Sequence, residues 1–425
     1  MTTDTLPKTS LASVINIQKA AHVLRGIIPE TPLMTNINLS DRYQAHIYLK
    51  REDLQPVRSY KIRGAYYKIS GLPQEDLQKG VVCASAGNHA QGLAYACYRL
   101  KVRGVIFMPH PTPKQKVSQV RMFGKEFVEV RLTGDTFDDA YRESVKYCQA
   151  EKMTFIHPFD DPRVIEGQAT VGLEIYSQMT EEIDYIILPV GGGGLSAGVG
   201  SYFKQISPKT KIIGVEPSGA AAMKISLEKG EIVTLENIDK FVDGAAVQRV
   251  GNLTFDICRQ ILDEVIAVPE GKVCSTILSL YNEEAIVVEP AGALSIAALD
   301  FLKDRPDFQG KNVVCVISGS NNDITRMEDI KERSMLYEGL KHYFIISFPQ
   351  RAGALREFLV NILGENDDIT CFEYMKKNNR EMGPALVGLE VPSRQDYEKL
   401  LERLKGSPFQ YEHLNQHPDL FGFIV

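Results

Sequence analysis

The chain has 425 residues, 44% of them hydrophobic and 24% charged, an ordinary globular composition at a length that suits two or three domains. Its formal net charge of -6 argues against nucleic acid as a main partner, because holding a phosphate backbone needs a basic surface. No stretch approaches about 18 uninterrupted apolar residues and the start, M-T-T-D-T-L-P-K, has no basic-then-apolar pattern, so neither a membrane span nor a secretory signal is expected.

From about residue 80 onward, short apolar runs alternate with longer amphipathic stretches, the rhythm of βα units. Strands are predicted at 80–84, 102–108, 126–132, 153–157, 185–190, 211–216 and 313–317, with helices at 89–100, 114–123, 136–150, 164–179 and 195–205. Runs such as Y-I-I-L-P-V and V-V-C-V-I leave no face for water, which predicts an α/β fold built on a mostly parallel, doubly wound sheet. In that architecture ligands lie beyond the carboxyl ends of the strands. A polar helix is predicted over 325–338. After it the order changes to strand 343–348, helix 354–363, strand 370–375, strand 385–391, helix 394–404 and strand 409–414. This βαββαβ, ferredoxin-like order divides the chain at 1–324, a connection over 325–335, and a small domain over 336–425. The charged run K-K-N-N-R-E (376–381) reads as a solvated hairpin loop.

Three turns follow predicted strands directly: S-A-G-N-H-A-Q-G (85–92), G-G-G-G-L (191–195) and the turn opened by Ser318. Glycines before a helix expose unpaired N–H groups and let a phosphate approach the backbone. Gly192, Gly194 and Ala197 also fit G-x-G-x-x-G/A, with Glu216 about 24 residues onward, so an NAD site competes with a pyridoxal phosphate site. Lys61 in S-Y-K-I-R-G-A (59–65) and Asn88 favour the second, because a dinucleotide site uses neither, whereas an aldehyde cofactor needs a lysine. The small residues around Asn88 make a loop whose N–H groups suit an anion, either a substrate carboxylate or a cofactor's phenolic oxygen. The seven cysteines are scattered without a C-x-x-C pair, which reads as reduced thiols and a cytoplasmic location. The eight histidines include no H-E-x-x-H and no close cysteine pairing, so no metal site is expected.

S-Y-K-I-R-G-A, S-A-G-N-H-A-Q-G, G-G-G-G-L and S-G-S-N-N, in this order, resemble the pyridoxal-phosphate enzymes of the tryptophan-synthase-β type. Within them the chain is most similar to the biosynthetic threonine dehydratases, over about residues 10–330, and its tail is similar to their ACT-like regulatory domain. The resemblance implies pyridoxal 5'-phosphate held by Lys61 as the Schiff-base lysine and by Asn88 at the phenolic oxygen. It further implies Gly191, Gly192, Gly193, Gly194 and Leu195 at the phosphate, and Ser318 at the pyridine nitrogen. Ser85, Gly87 and His89 are expected at the substrate carboxylate. The implied reaction is β-elimination from L-threonine, with L-serine secondary, giving 2-oxobutanoate and ammonia as the first committed step of isoleucine biosynthesis. Lys61 is its general base. Isoleucine or valine as effector and a homotetramer are implied as well.

Two positions depart from related activities. Similar serine racemases carry a serine where this chain has Ala86, which has no proton to give. Some relatives bind a cation through residues matching Glu216, the Ala220 carbonyl and an acidic side chain where this chain has Ala222, so Glu216 is read as a capping or surface carboxylate and the metal as absent. Glu289 in E-P-A-G-A (289–293) receives no role. A serine or degradative threonine dehydratase, and a catalytically silent amino-acid sensor, remain the other readings.

Overall fold

A computed structural model of the protein describes residues 11–374 and 381–417. The chain divides into two compact units, Met1–Ile324 and Thr325–Val425. The first unit holds ten strands: β1 (Leu33–Thr35), β2 (His46–Arg51), β3 (Val81–Ala84), β4 (Gly104–Met108), β5 (Val128–Leu132), β6 (Thr154–Phe155), β7 (Tyr185–Pro189), β8 (Lys211–Pro217), β9 (Glu264–Val268) and β10 (Asn312–Ile317). They form a six-stranded sheet in the order β1-β2-β10-β7-β8-β9 and a four-stranded sheet in the order β5-β4-β3-β6. Every pairing is parallel except that of β1 with β2. The predicted mostly parallel α/β architecture is therefore present, with its strands shared between two sheets. Alternating burial in a sequence reports which faces are covered, not which strands are neighbours. β3 and β7 are buried at every residue, as strands covered by helices on both sides must be. Apolar clusters pack around each sheet: Ile186, Leu188, Val314 and Phe203 at the larger, Val81, Cys83, Ile106 and Leu93 at the smaller. None of the seven cysteines is in a disulfide, and six are buried.

The helix Lys61–Ser70 carries the motif lysine at its first position. Two features hold it in place. Arg63, 1% exposed, reaches the buried carboxylates Glu52 and Glu174, while Lys50 also serves Glu174. Gly64 faces Gly167 of the helix Pro162–Gln178 at a crossing so close that a Cβ on Gly167 would stand 2.7 Å from the Gly64 Cα. Each helix thus uses a glycine where any side chain would push the pair apart.

The second unit begins with the helix Met327–Glu338 and continues through β11 (Lys341–Pro349), the helix Ala354–Asn361, β12 (Asp368–Tyr374), β13 (Met382–Glu390), the helix Arg394–Lys405 and β14 (Gln410–His413). Its antiparallel sheet has the order β12-β13-β11-β14, the ferredoxin-like arrangement expected. Phe344, Ile346, Val387, Leu389, Phe358 and Leu400 form its core. Apart from Glu381, the 376–381 charge cluster lies outside the described residues. No described helix is long and apolar enough to cross a membrane.

Candidate active site

Lys61 starts its helix after Tyr60, whose N–H donates to the Ser318 carbonyl at 3.2 Å, while Ser59 bridges Gly319. The first and last motifs of the sequence are thereby joined by backbone. The Lys61 Nζ donates to the Pro158 carbonyl at 3.3 Å. Burial drives its pKa down to about 8, only partly offset by the charge of Glu289. An amine in that range is available as a nucleophile and base near neutral pH.

The loop that receives Lys61 also builds the glycine turn. His157 Nδ1 accepts the N–H groups of Phe159 at 3.3 Å and Asp160 at 2.8 Å, and the Asp160 carboxylate accepts those of Asn252 and Thr254 at the start of the helix Asn252–Ile261. Between these anchors Phe159 lies against the glycines. A Cβ on Gly192 would be 2.3 Å from its ring, and one on Gly194 2.9 Å from its Cβ. Gly193 adopts φ 91°, a left-handed backbone that favours glycine. Gly191 approaches the Ala245 backbone, where an added Cβ would stand at 3.1 Å. The helix Gly194–Ile206 begins here without a side-chain cap, and the Ser196 hydroxyl in its first turn is buried without a partner. Uncapped N–H groups at a helix start favour an anion.

Asn88 opens the helix Asn88–Leu100. Its Nδ2 donates to Glu289 Oε1 at 2.7 Å, and its Oδ1 accepts from Asn321 at 2.7 Å. Glu289 is 4% exposed, and burial raises its carboxyl to about 7, reinforced by the charge of Asp243 and opposed by the Asn88 bond. Ser318 follows β10 and is buried. Ser85 Oγ accepts the Gly87 N–H at 3.3 Å, and open space faces Gly87 where a Cβ would be. The His89 imidazole is engaged by the fold through Nε2, 2.9 Å from the Ile156 carbonyl, and burial holds its pKa near 3, so the ring is neutral near neutral pH.

Contacts therefore gather Lys61, the glycine turn, Asn88 and the Ser318 turn into one site at carboxyl ends of strands. Glu289, Asn321 and Phe159 belong to it as well. Asn321 lies in the S-G-S-N-N motif and Glu289 in E-P-A-G-A, where residue type alone assigns neither a role, and Phe159, next to a His-Pro pair, carries no signal. Glu216 lies apart from a ligand role. It is fully buried and accepts the N–H groups of Met223 and Lys224, both at 2.8 Å, capping the helix Ala222–Lys229. Burial raises its carboxyl to about 8, against these two bonds.

These groups fit pyridoxal phosphate. The amine has a lowered pKa, the phosphate would meet a turn closed to any side chain, and a buried hydroxyl and an amide stand ready to bond.

Comparison with known proteins agrees with this fit. A family profile described as pyridoxal-phosphate dependent enzyme matches residues 24–319, and one described as C-terminal regulatory domain of threonine dehydratase matches 332–424. A biosynthetic L-threonine dehydratase of Halalkalibacterium halodurans is 57% identical over 406 residues, 96% of this chain and 97% of that protein. Another, from Bacillus subtilis, is 56% identical over 420 residues, 99% of each. Among solved structures, the processed threonine deaminase isoform 2 of Solanum lycopersicum is similar with a TM-score of 0.70 and 39% identity, over 79% of this chain and 99% of that one. Maize serine racemase is similar with a TM-score of 0.71 and 29% identity, over 77% and 99%. With four motifs gathered at one pyridoxal-type site and relatives matched over nearly the whole length, the chain belongs to the threonine dehydratase family of pyridoxal-phosphate-dependent enzymes.

Proposed function

We propose that the first unit converts L-threonine to 2-oxobutanoate and ammonia, the first committed step of isoleucine biosynthesis, and that L-serine is a secondary substrate. The observation that carries this is the half-buried Lys61 amine, with a pKa near 8, beside the loop whose Phe159 presses against the glycines. Pyridoxal 5'-phosphate, when bound, supplies the aldehyde that captures the substrate amine and the conjugated ring that accepts electrons. Lys61 would hold that group, and as a neutral amine it would serve as the base for the substrate α-proton. Gly191, Gly192, Gly193, Gly194 and Leu195 direct backbone N–H groups to the phosphate. Asn88 donates toward the phenolic oxygen. Ser318 would offer the pyridine nitrogen a neutral hydroxyl partner, one that does not favour a charged ring. Ser85, Gly87 and the His89 N–H receive the substrate carboxylate. In the net reaction the α-proton and the β-hydroxyl leave together as water, and hydrolysis then releases ammonia and the ketoacid.

The second unit is read as a regulatory domain that binds isoleucine or valine. A cavity of ≈ 390 Å³ supports this, lined by Phe348, Leu355, Leu359 and Phe372 together with Arg351 and Arg356. Apolar walls suit a branched side chain, and a guanidinium suits a carboxylate. A homotetramer in which such units pair between subunits belongs to the same reading, and the buried cysteines, none in a disulfide, support a cytoplasmic location. The test measures the ketoacid formed from threonine, with and without isoleucine, by the full chain and by a chain ending at Ser334. The expected outcome is 2-oxobutanoate from both, with inhibition only in the full chain. Absence of 2-oxobutanoate refutes the first reading, and indifference of the full chain to millimolar isoleucine and valine refutes the second.

A further inference from the structure

The Asn88 amide would be of little use to a cofactor if it could turn over, because its two ends offer opposite hydrogen-bonding character. An asparagine side chain presents a carbonyl oxygen on one side and two N–H groups on the other. Which side faces a ligand is decided by the groups that hold the amide in place. Around Asn88 those groups form a chain with a fixed direction. At one end, Asn321 Nδ2 lies 2.9 Å from the Val57 backbone carbonyl, an atom that can only accept. The Asn321 side chain must therefore point its NH2 that way. The same NH2 stands 2.7 Å from Asn88 Oδ1, so its second hydrogen goes there. At the other end, Asn88 Nδ2 is 2.7 Å from Glu289 Oε1. The bonds from Asn88 and from the Asn321 backbone favour the ionised carboxylate against the rise that burial imposes, and above about pH 7 that carboxylate can only accept.

Glu289 has little freedom to vary this. Its own N–H donates to the Gly319 carbonyl at 3.1 Å, and its carboxylate also accepts the Asn321 backbone N–H. A Cβ on Gly319 would be 2.7 Å from its Oε1, and one on Gly244 3.3 Å, so two glycine backbones close around the carboxylate. If the Asn88 amide turned over, its carbonyl oxygen would face the Glu289 carboxylate and its NH2 would face the NH2 of Asn321. Both contacts would be repulsive.

We propose that Glu289 and Asn321 are positioning residues, which lock Asn88 so that the second N–H of its Nδ2, and not its carbonyl, is presented to the cofactor's phenolic oxygen. This rests on the reading of Asn88 given under the proposed function. It gives a role to Glu289 and Asn321 in the donor–acceptor chain Val57–Asn321–Asn88–Glu289, and it treats neither as an acid or base in turnover.

The experiment titrates apoprotein of the full chain with pyridoxal 5'-phosphate, following cofactor affinity and the pH midpoint of the visible absorption band. The wild type is compared with Asn321→Ala, Glu289→Leu and Glu289→Gln, each apoprotein being checked for folding by near-ultraviolet circular dichroism. Asn321→Ala and Glu289→Leu are expected to weaken cofactor binding at least about tenfold and to move the midpoint. Glu289→Gln, whose amide oxygen still accepts from Asn88, is expected to stay within about threefold of the wild type. Should Glu289→Leu fail to fold, the Asn321→Ala arm decides alone. Wild-type affinity and midpoint in folded Asn321→Ala would overturn the proposal. So would a Glu289→Gln protein as impaired as Glu289→Leu, since charge and not orientation would then be at work. A wild-type protein with no visible band would overturn the functional reading itself, a result distinct from either.

Discussion

Replacing Arg63 with methionine tests whether the lysine helix is held by its buried ion cluster. Five hydrogen bonds leave this guanidinium: two to Glu52 at 2.8 and 2.7 Å, two to Glu174 at 2.5 and 2.8 Å, and one to Thr170 at 3.1 Å. Methionine keeps much of the volume and supplies none of them. Glu174 would retain Lys50 at 2.7 Å, but Glu52, fully buried, would keep only the neutral partners Thr31 and Gln55. Removing one partner of a buried pair costs about 3–5 kcal/mol, and the surviving lysine places this case near the lower end, at about 3 kcal/mol. That is a large share of the roughly 5–15 kcal/mol by which proteins are usually stable.

The loss should also depend on pH in a definite direction. In the wild type, burial opposes the Glu52 charge, yet Arg63, Lys50 and Thr31 together outweigh it and hold the carboxyl below its usual range. That contribution is present above the unfolded pKa and is lost as pH falls through the folded one. Without Arg63 burial dominates, the folded pKa rises above the unfolded value, and the sign reverses. The variant's deficit should therefore shrink between pH 7 and pH 5. Urea unfolding of the full chain at both pH values, followed by circular dichroism, measures it. A deficit under about 1 kcal/mol, or one that is the same at both pH values, would refute the argument.

Cofactor uptake by the apoprotein should speed up with rising pH and level off just above about 8, because the neutral fraction of Lys61 grows through its pKa; stopped-flow absorbance checks this, and a rate still climbing toward the usual lysine value would contradict the burial argument. Lys61→Ala should abolish ammonia release, and borohydride reduction of the wild type should fix the cofactor to Lys61 alone, as peptide mapping would show. Ala86 should leave the enzyme without measurable racemisation of L-serine, so D-serine found early by chiral chromatography would mean that another group or water supplies the missing proton. In the second unit, His342 stacks on Tyr397 at 3.5 Å, faces His413 Nε2 at 3.3 Å, and is held to about 4 mainly by burial. The unfolded chain takes up that proton first as pH falls below about 6.5, so the unit should lose about 2 kcal/mol by pH 5. Hydrogen exchange of β11 amides in the full chain would show the loss, and His342→Gln should reduce it.

The sequence by itself determined most elements between residues 80 and 217, the parallel α/β class, the βαββαβ tail and the four motifs, but not the strand Glu264–Val268 or the helices Ala222–Lys229, Asn252–Ile261, Glu270–Glu284 and Pro290–Ala297. The features it determined are local: apolar runs of two periods, glycines before a helix, and short strings whose chemistry is written in their residue types. Only the tertiary structure decided which strands are neighbours. β2 lies between β1 and β10, and β3 belongs to a different sheet from β7 although their burial patterns match. It likewise decided that Glu216 caps a helix and that the His89 ring turns toward Ile156. Glu289 and Asn321 join Asn88 across separations of 201 and 233 residues, and Arg63 meets Glu174 across 111. Nothing in the residues near Glu289 or Arg63 encodes such a partner. A hydrogen bond between distant segments depends on where the packed sheets and glycine crossings bring two backbones, and that placement is a property of the whole core.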